Sequence, residues 1–256
     1  MPIKENYPGL WLQNYPRKSP EGHKYDSGLA VIYGASEMTG ATRLAAEACA
    51  RIGAGLTVVM APAAAADIYR ASLPAHVMVR TDTTWNDTRI KARLYGPGGL
   101  SAKPDFRSSV PCVLDADALE SLPRKLGPQY VLTPHEGEFA RAFPAISGDR
   151  VTRAQEASLQ TGAVIVLKGP ETVVTAPGRG VVTNHNAPPS LATAGSGDVL
   201  AGMITGLIAQ GMEPFEAACA GVWIHGACAR AFGPGLVASD LPGLIPGILA
   251  AHIHIE

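Results

Sequence analysis

The sequence predicts an α/β protein in which helices cover both faces of a central, mostly parallel β-sheet. Short apolar runs alternate with helix-like segments along the chain, which is the order expected of a parallel sheet with crossover helices. The apolar runs are continuous, as in strands that are buried on both faces. At 256 residues, with no linker or internal repeat, the chain is expected to form a single domain over 1–256, with 1–22 as an N-terminal extension.

The individual elements follow from the apolar runs and from the residues that interrupt them. An alanine-rich helix is predicted over 41–52, which Gly53 ends, and Pro62 is predicted to open a second helix. Strands are predicted at 29–33, 56–60, 76–80, 91–95, 111–114, 130–132 and 163–167. The segment 171–183 is expected to form two antiparallel strands. After it, helices are predicted over 198–210, over 214–232 and near the C-terminus.

Charge, cysteine content and hydropathy exclude several classes of protein. The net charge is -1 and 17% of the residues are charged, below the roughly 25% typical of soluble domains. We therefore expect a large buried fraction and no nucleic-acid or membrane partner. The sequence shows no signal peptide and no apolar run of about 18 residues. A soluble, cytoplasmic protein is expected, with four reduced and buried thiols at Cys49, Cys112, Cys219 and Cys228.

The segment Gly195-Ser196-Gly197-Asp198 carries the strongest functional signal in the chain. Its glycines let the backbone approach a ligand closely, and a strongly apolar helix starts at Asp198. Free N–H groups and the positive end of the helix dipole then face whatever lies in front of the loop. Amides that hold a phosphate, beside a carboxylate that takes a proton, suit phosphoryl transfer to a hydroxyl. The alternative is an aspartate that only caps the helix.

Five residues follow predicted strands or start a helix, and they are expected to meet at one edge of the sheet. Ligands of an open α/β sheet bind outside the carboxyl ends of the strands. If the sheet is parallel, that edge collects Gly34, Asp115, Thr133, Lys168 and Asp198.

Several polar residues near this edge have two interpretations. Asp115 and Asp117 straddle Ala116 and either support Mg²⁺ or a substrate on one side of an extended stretch, or cap a helix that follows. His135 contacts a ligand or bonds loop backbone. Lys168 binds phosphate or is a solvated lysine at a strand end.

For four further residues, no catalytic role is predicted. Glu136 and Glu138 are predicted to start a helix, where acidic side chains suit the dipole. His225, on a largely apolar helix, is predicted to be a packed core histidine. Ser196 has no histidine placed by the sequence to activate it, so a serine hydrolase is not predicted.

Three blocks occur in an order that is specific to one family. They read Thr133-Pro134-His135-Glu136-Gly137-Glu138, Leu167-Lys168-Gly169 and Ala194-Gly195-Ser196-Gly197-Asp198-Val199-Leu200-Ala201-Gly202. With weaker pieces that include Gly96-Pro97-Gly98 and Asp115-Ala116-Asp117, this set resembles the ADP/ATP-dependent NAD(P)H-hydrate dehydratases over residues 23–246. The resemblance implies the ribokinase-like fold of that superfamily, a three-layer α/β/α arrangement.

The resemblance also implies an activity. In that family a nucleoside di- or triphosphate phosphorylates the hydroxyl that damage has added to the nicotinamide ring. Phosphate then leaves and restores NADH or NADPH, which makes the enzyme a lyase of metabolite repair that acts on the S epimer. The resemblance assigns Asp198 as the base that takes the hydroxyl proton.

The same resemblance assigns the binding residues and the partners. Dinucleotide contacts are expected at Ala41, Gly98, His135 and Asp198. Nucleotide contacts are expected at Lys168, Gly169, Pro170, Glu171, Thr172, Gly195, Ser196 and Gly197. Gly169 would permit close backbone approach, and the amides of 195–197 would hold the transferred phosphoryl group. The resemblance further implies ADP as donor, with ATP as the alternative, Mg²⁺ without assigned ligands, and a homotetramer.

The chain departs from the family pattern after Gly98. The family shows Gly-Pro-Gly-Leu-Gly and then a full helix, whereas here Gly99 follows and only 100–109 separate it from the next strand. A crossover with its helix needs at least about 10 to 12 residues, so that helix is expected to be shortened or lost, which affects the contact at Gly98. Many bacterial members are fused to an epimerase domain, so the chain is expected to be a stand-alone version or a part of such a fusion.

Two other functions are compatible with parts of this pattern. A small-alcohol kinase of the same superfamily, of the hydroxyethylthiazole or hydroxymethylpyrimidine type, would share the Gly-x-Gly-Asp helix start. It would not be expected to carry both the Thr133–Glu138 and the Leu167–Gly169 blocks. A non-catalytic nucleotide-binding protein of the same fold is the second rival, and the intact Asp198 argues against it.

Overall fold

The computed structural model describes residues 2–253 and is organised around one ten-stranded sheet. The strand order is β1-β10-β9-β8-β7-β6-β5-β2-β3-β4. All neighbours are parallel except β8–β9 and β9–β10, which are antiparallel. The strands are β1 Ile3–Glu5, β2 Leu29–Tyr33, β3 Leu56–Met60, β4 Val77–Arg80, β5 Ile90–Tyr95, β6 Cys112–Leu114, β7 Tyr130–Leu132, β8 Val164–Leu167, β9 Thr172–Ala176 and β10 Gly180–Asn184.

Helices cover both faces of this sheet and form the outer two layers. They are α1 Thr39–Arg51, α2 Ala66–Ser72, α3 Glu136–Ala142, α4 Arg150–Thr161, α5 Ser196–Ala209, α6 Pro214–Phe232 and α7 Leu241–His252. One core joins α1, α2, α5, α6 and α7 to one sheet face, and a second core joins α3 and α4 to the other. The predicted three-layer α/β/α arrangement with a mostly parallel sheet is therefore confirmed.

Burial of both faces explains why the strands read as continuous apolar runs. In β6, Val113 points into the larger core and Leu114 into the opposite one, and both are fully buried. The neighbouring strand β7 has the same alternation of faces, because its Val131 pairs with Val113 and its Leu132 pairs with Leu114. Successive side chains of a strand point to opposite faces, so a strand covered on both sides needs apolar residues at every position.

The N-terminal segment, which we predicted as an extension, contributes a strand to the sheet. β1 pairs in parallel with β10, although all three of its residues are exposed. Asn6 follows it and is buried, with its Nδ2 donating to Asn184 Oδ1 at 3.1 Å and to the Cys219 carbonyl at 2.8 Å. A short polar edge strand has no apolar run, so the sequence pattern gave no signal for it.

Other predictions are confirmed by the described residues. The segment 100–109 contains no helix, as expected, and Phe106 from this segment packs against the second core. The four cysteines are free and buried. Within 2–253, no helix has the length and apolar character needed to cross a membrane.

Helices α1 and α5 pack closely because glycines lie at their contact. A Cβ added to Gly202 would lie 2.1 Å from the Ala45 carbonyl oxygen, and one added to Gly206 would lie 2.6 Å from that of Cys49. Backbone atoms cannot move aside as a flexible side chain can. This contact fixes α5, whose N-terminus carries Asp198.

We predict that Gly202→Ala lowers the free energy of unfolding by about 1–3 kcal/mol, because the added methyl group overpacks the helix contact. Gly247→Ala is the matched control, since Gly247 lies in α7 with open space around it. Its gain in helix propensity is about 0.5–1 kcal/mol. Urea unfolding of both variants measures the two effects, and a Gly202→Ala variant as stable as the parent would contradict the packing account.

Candidate active site

A cavity of about 790 Å³ lies at the carboxyl ends of the central strands. Its walls come from the loops that follow β6, β7 and β8, from the start of α5, and from α1 and α6. Of the predicted site residues, eleven line it: Ala41, Gly98, His135, Lys168, Gly169, Pro170, Thr172, Gly195, Ser196, Gly197 and Asp198. Glu171 is not among the lining residues, and its Oε2 lies 3.6 Å from Nδ1 of His185.

Asp198 lies in the first turn of α5, where the sequence placed it. Gly195 is the N-cap with a φ of 89°, a conformation that favours glycine. A Cβ at Gly195 would also lie 2.7 Å from Cδ1 of Leu44. No capping bond is made by a side chain at this N-cap. The Ser196 amide donates to the Thr193 carbonyl at 3.2 Å, which leaves the amides of Gly197 and Asp198 at the open start of α5 beside the carboxylate.

Burial raises the pKa of Asp198 to about 7. The nearby carboxylates of Asp115 and Glu138 add to this rise, whereas the ammonium of Lys168 opposes it. A base works best when its pKa lies near the operating pH, so this carboxylate is suited to accept a proton at neutral pH. The alternative of a plain helix cap does not account for such a group in a cavity.

Lys168 follows β8 and points inward instead of into solvent. Its Nζ lies 2.8 Å from Asp115 Oδ1 and 3.7 Å from Glu138 Oε2. Burial alone would lower the pKa of Lys168, but the carboxylates of Asp115, Glu138 and Asp198 outweigh it and raise that pKa. A Cβ added to Gly197 would lie 3.1 Å from this Nζ, so the ammonium lies beside the loop that opens α5. The solvated-lysine interpretation is wrong.

Asp115 and Asp117 do not act as a pair. Ala116 adopts a φ of 44° and turns the chain, so Asp115 is buried and Asp117 is exposed. Thr133 Oγ1 donates to Asp115 Oδ1 at 2.7 Å, which adds to the contact with Lys168. A short 3₁₀ helix follows at Ala116–Leu119, but the Asp115 side chain makes no capping bond to it. Its carboxylate is used to hold Lys168.

His135 bonds loop backbone, which is one of the two roles that the sequence left open. It caps α3, because its Nδ1 accepts from the amides of Gly137 at 3.0 Å and Glu138 at 3.3 Å. Glu138 returns the contact by accepting from the His135 amide at 2.8 Å, which completes a capping box. The imidazole also lines the cavity. Glu136 and Glu138 lie in the first turn of α3, as predicted.

His225 is buried, as predicted, but its ring also borders the cavity. Burial lowers its pKa to about 4, so the ring is neutral at physiological pH. Its Nε2 has no hydrogen-bond partner among residues 2–253.

The wall near Gly98 is intact although the following helix is missing. Gly98 has a φ of 80°, and a Cβ there would lie 2.2 Å from the Met38 carbonyl oxygen. Thr42 Oγ1 donates to the Pro97 carbonyl at 2.9 Å and holds this turn against α1. Gly98 and Ala41 therefore stay side by side on the cavity wall.

Glu138 and Asn184 line the cavity, although the sequence motifs did not indicate that they would. Glu138 occupies the third position of a capping box, a pattern that suggests only a helix start. Asn184 ends β10, whose antiparallel pairing with β9 brings it back beside Thr172. Such contacts depend on strand order, which the sequence does not specify.

The cavity lies at the carboxyl edge of the sheet, and it combines a helix that starts after a glycine, a buried lysine and an aspartate with a raised pKa. This combination of sheet and site is that of a ribokinase-like α/β enzyme. The family follows from comparison with known proteins: a sequence profile described as NAD(P)H-hydrate dehydratase matches residues 29–246. The chain belongs to the NAD(P)H-hydrate dehydratase family.

Individual relatives agree with this assignment. The chain is 34% identical to the ADP-dependent (S)-NAD(P)H-hydrate dehydratase of Neisseria meningitidis, over 93% of this chain and 86% of that protein. It is 36% identical to the bifunctional NAD(P)H-hydrate repair enzyme Nnr of Escherichia coli, over 90% of this chain and 48% of that protein. The chain thus spans about half the length of the bifunctional relative.

A solved structure shares the fold over almost the whole chain. The ADP/ATP-dependent NAD(P)H-hydrate dehydratase of Bacillus subtilis, co-crystallised with ATP and Mg²⁺, superposes with a TM-score of 0.87 at 28% identity. The match covers 98% of this chain and 99% of that one. A hydroxyethylthiazole kinase of Pyrococcus horikoshii shares the fold at a TM-score of 0.59 and 15% identity.

The raised pKa of Asp198 predicts a stability effect with a definite sign. The unfolded chain releases this proton at lower pH than the folded chain, so the stability linked to the protonated group is lost as pH rises through about 7. Asp198→Asn removes that loss. We compare the unfolding free energy of the variant with that of the parent at each pH. The difference in favour of the variant is expected to grow by about 2 kcal/mol between about pH 5 and about pH 8.

Urea unfolding at both pH values measures this advantage. The exposed Asp117→Asn serves as the control and is expected to follow the parent at both. An advantage of Asp198→Asn that is constant or shrinks with pH would show that burial does not disfavour the charged form.

Proposed function

We propose that this chain restores NADH and NADPH by removing water from the S form of their hydrates, with ADP or ATP as phosphoryl donor. The observation that carries the proposal is the meeting of Asp198, the open amides of α5 and the Lys168 ammonium in one cavity. The names of the Neisseria meningitidis and Bacillus subtilis relatives support the same substrates. Hydroxide is a poor leaving group and phosphate a good one, so a kinase-like site can drive a dehydration.

In the first step Asp198 accepts the proton of the ring hydroxyl. The hydroxyl oxygen forms a bond to the terminal phosphorus of the nucleotide, and the bond from that phosphorus to the bridging oxygen breaks. The departing nucleotide is AMP when ADP is the donor and ADP when ATP is the donor. The amides of Gly195 to Gly197 and the ammonium of Lys168 would stabilise the charge on the transferred group.

In the second step the carbon–oxygen bond of the phosphorylated ring breaks. Phosphate leaves with the bonding electrons, the neighbouring ring carbon loses a proton, and the ring double bond returns. The ring nitrogen assists this step by donating its lone pair. No group of the chain needs to form a covalent bond to the substrate.

The residues present fit Mg²⁺ held together with a nucleotide. Among the described residues, no cluster of three or more metal-ligating side chains occurs. Mg²⁺ commonly takes one or two carboxylates and completes its shell with phosphate oxygens and water. Glu138 and Asp115 are the buried carboxylates of the cavity, besides the proposed base, that would hold it. When bound, the ion would neutralise charge on the phosphates.

The nucleotide is proposed to lie along 168–172 with its phosphates at α5. Lys168, Gly169, Pro170 and Thr172 line the cavity, and so do Ala41, Gly98 and His135, which are proposed to contact the dinucleotide. Glu171, which does not line the cavity, would contribute through its backbone. ADP as the preferred donor, the homotetramer, the cytoplasmic location and a partner epimerase activity stay predictions that follow from the family.

The test is the absorbance of the reduced nicotinamide ring when hydrated NADH is mixed with the protein, Mg²⁺ and ADP or ATP. A nucleotide-dependent rise is expected. If there is no such rise, and a phosphorylated product forms when a hydroxyethylthiazole or hydroxymethylpyrimidine is supplied in place of hydrated NADH, the small-alcohol kinase is favoured. Nucleotide binding with neither activity would favour the non-catalytic alternative.

We predict that Asp198→Asn lowers kcat by at least about 10³-fold, because no base then accepts the hydroxyl proton. Binding of ADP, followed by titration calorimetry, is expected to stay within a few-fold of the parent. Asp67→Asn is the control, since Asp67 is exposed on α2 and pairs only with Arg70. Turnover by Asp198→Asn equal to the parent's would remove Asp198 from the mechanism.

We predict that His135→Ala and His135→Asn both raise the KM for the hydrated dinucleotide about tenfold, because both remove the imidazole from the cavity wall. Only the alanine variant should also lose about 1 kcal/mol of unfolding free energy, since asparagine still caps α3. Steady-state kinetics and urea unfolding separate the two effects. Parental KM values in both variants would remove His135 from substrate binding.

A further inference from the structure

Arg150 lies behind the proposed nucleotide segment and is not part of the cavity wall. It is the first residue of α4. Its Nη2 donates to the carbonyl oxygens of Leu167 and Lys168, both at 3.1 Å. These carbonyls belong to the end of β8, where the chain passes from the sheet to the ligand-facing segment. One guanidinium group therefore holds two successive peptide groups in place.

The same guanidinium lies directly over Gly169. A Cβ added there would be 2.4 Å from Nη2 of Arg150 and 2.8 Å from its Cζ. Gly169 does not have a positive φ, so its backbone conformation does not require glycine. The structure gives a different reason for this glycine: any larger side chain would push Arg150 away from the carbonyls that it holds.

Arg150 also contacts the neighbouring segment, which follows β7 and starts α3. Its Nη1 contacts Oε1 of Glu136, the residue that follows His135 and starts α3. Backbone contacts reinforce this link, since the Lys168 amide donates to the Pro134 carbonyl at 2.8 Å. Arg153 contacts the second oxygen of Glu136 at 2.9 Å. Among the described residues, Arg150 is the one of these two arginines whose side chain hydrogen-bonds both Glu136 and the end of β8.

We propose that Arg150 is a positioning residue for nucleotide binding, and that Gly169 is glycine because the Arg150 guanidinium covers it. The inference rests on the proposed role of 168–172 as the nucleotide segment. Fixing the carbonyls of Leu167 and Lys168 fixes the direction of the next amides and of the Lys168 side chain. Lysine at position 150 keeps the charge but lacks the planar fork that serves two carbonyls and a carboxylate together.

The test is a double-mutant cycle over Arg150→Met, Gly169→Ala and their combination, with Arg153→Met as the matched control. Titration calorimetry gives the Kd for ADP with Mg²⁺, and urea unfolding gives the coupling in stability. Each single variant is expected to weaken ADP binding about tenfold. The double variant should bind ADP no more weakly than the single variant with the higher Kd, because both changes break the same contacts. Arg150→Lys should fall between the parent and Arg150→Met, and Arg153→Met should bind as the parent does.

Two binding results would overturn the inference. Parental ADP affinity in Arg150→Met would show that the arginine only supports the fold. A Gly169→Ala penalty of the same size with and without Arg150 would show that the glycine is needed by the ligand or the backbone.

The stability cycle decides the geometry even where the proposed function fails. If the parent does not bind ADP, the nucleotide role of 168–172 falls. The cost of Gly169→Ala in unfolding free energy should still shrink when Arg150 is methionine, and an unchanged cost would overturn the contact between the two residues.

Discussion

The buried ion pair between Lys168 and Asp115 determines where charge lies in the cavity. It joins the ends of β8 and β6 at 2.8 Å, and Thr133 from the strand between them donates to the same carboxylate. Three neighbouring strands thus meet in one polar contact. Removing one partner of such a pair typically costs about 3–5 kcal/mol. The pair directs the ammonium to the cavity and keeps it from fully neutralising Asp198.

The rest of the site follows from this distribution of charge. Asp198 lies at the start of a helix that two glycine contacts fix against α1, so its carboxylate cannot retreat from Asp115 and Glu138. Burial and these like charges raise the pKa of Asp198 into the neutral range, while Lys168 stays beside Gly197, whose amide is proposed to hold the phosphoryl group. The neighbouring loop is ordered by residues with two roles, since His135 and Glu138 form the capping box of α3 and also line the cavity.

Local patterns predicted the central strands, the late helices and the motif residues, because these depend on runs of apolar residues and on glycines. The same patterns could not predict β1, an edge strand with exposed side chains that is held by its pairing with β10. They treated Asp115 and Asp117 alike, and only the turn at Ala116 separates them. Arg150 and Glu138 were missed because their contacts lie across strands and helices that are far apart in the chain. The reason for Gly169 was taken from the family, whereas the contact with Arg150 supplies a different one.

Burial, together with Asp115 as a neighbouring like charge and as the partner of Lys168, keeps Asp198 protonatable near neutral pH. Carbon-detected NMR titration of the Asp198 carboxyl in the parent and in Asp115→Asn tests this claim most directly. We expect a pKa near 7 for Asp198 in the parent. In the variant we expect a clearly lower pKa, because a like charge is gone and Lys168 is free to approach. The same pKa in both proteins, or an ordinary aspartate pKa in the parent, would show that Asp115 does not tune Asp198.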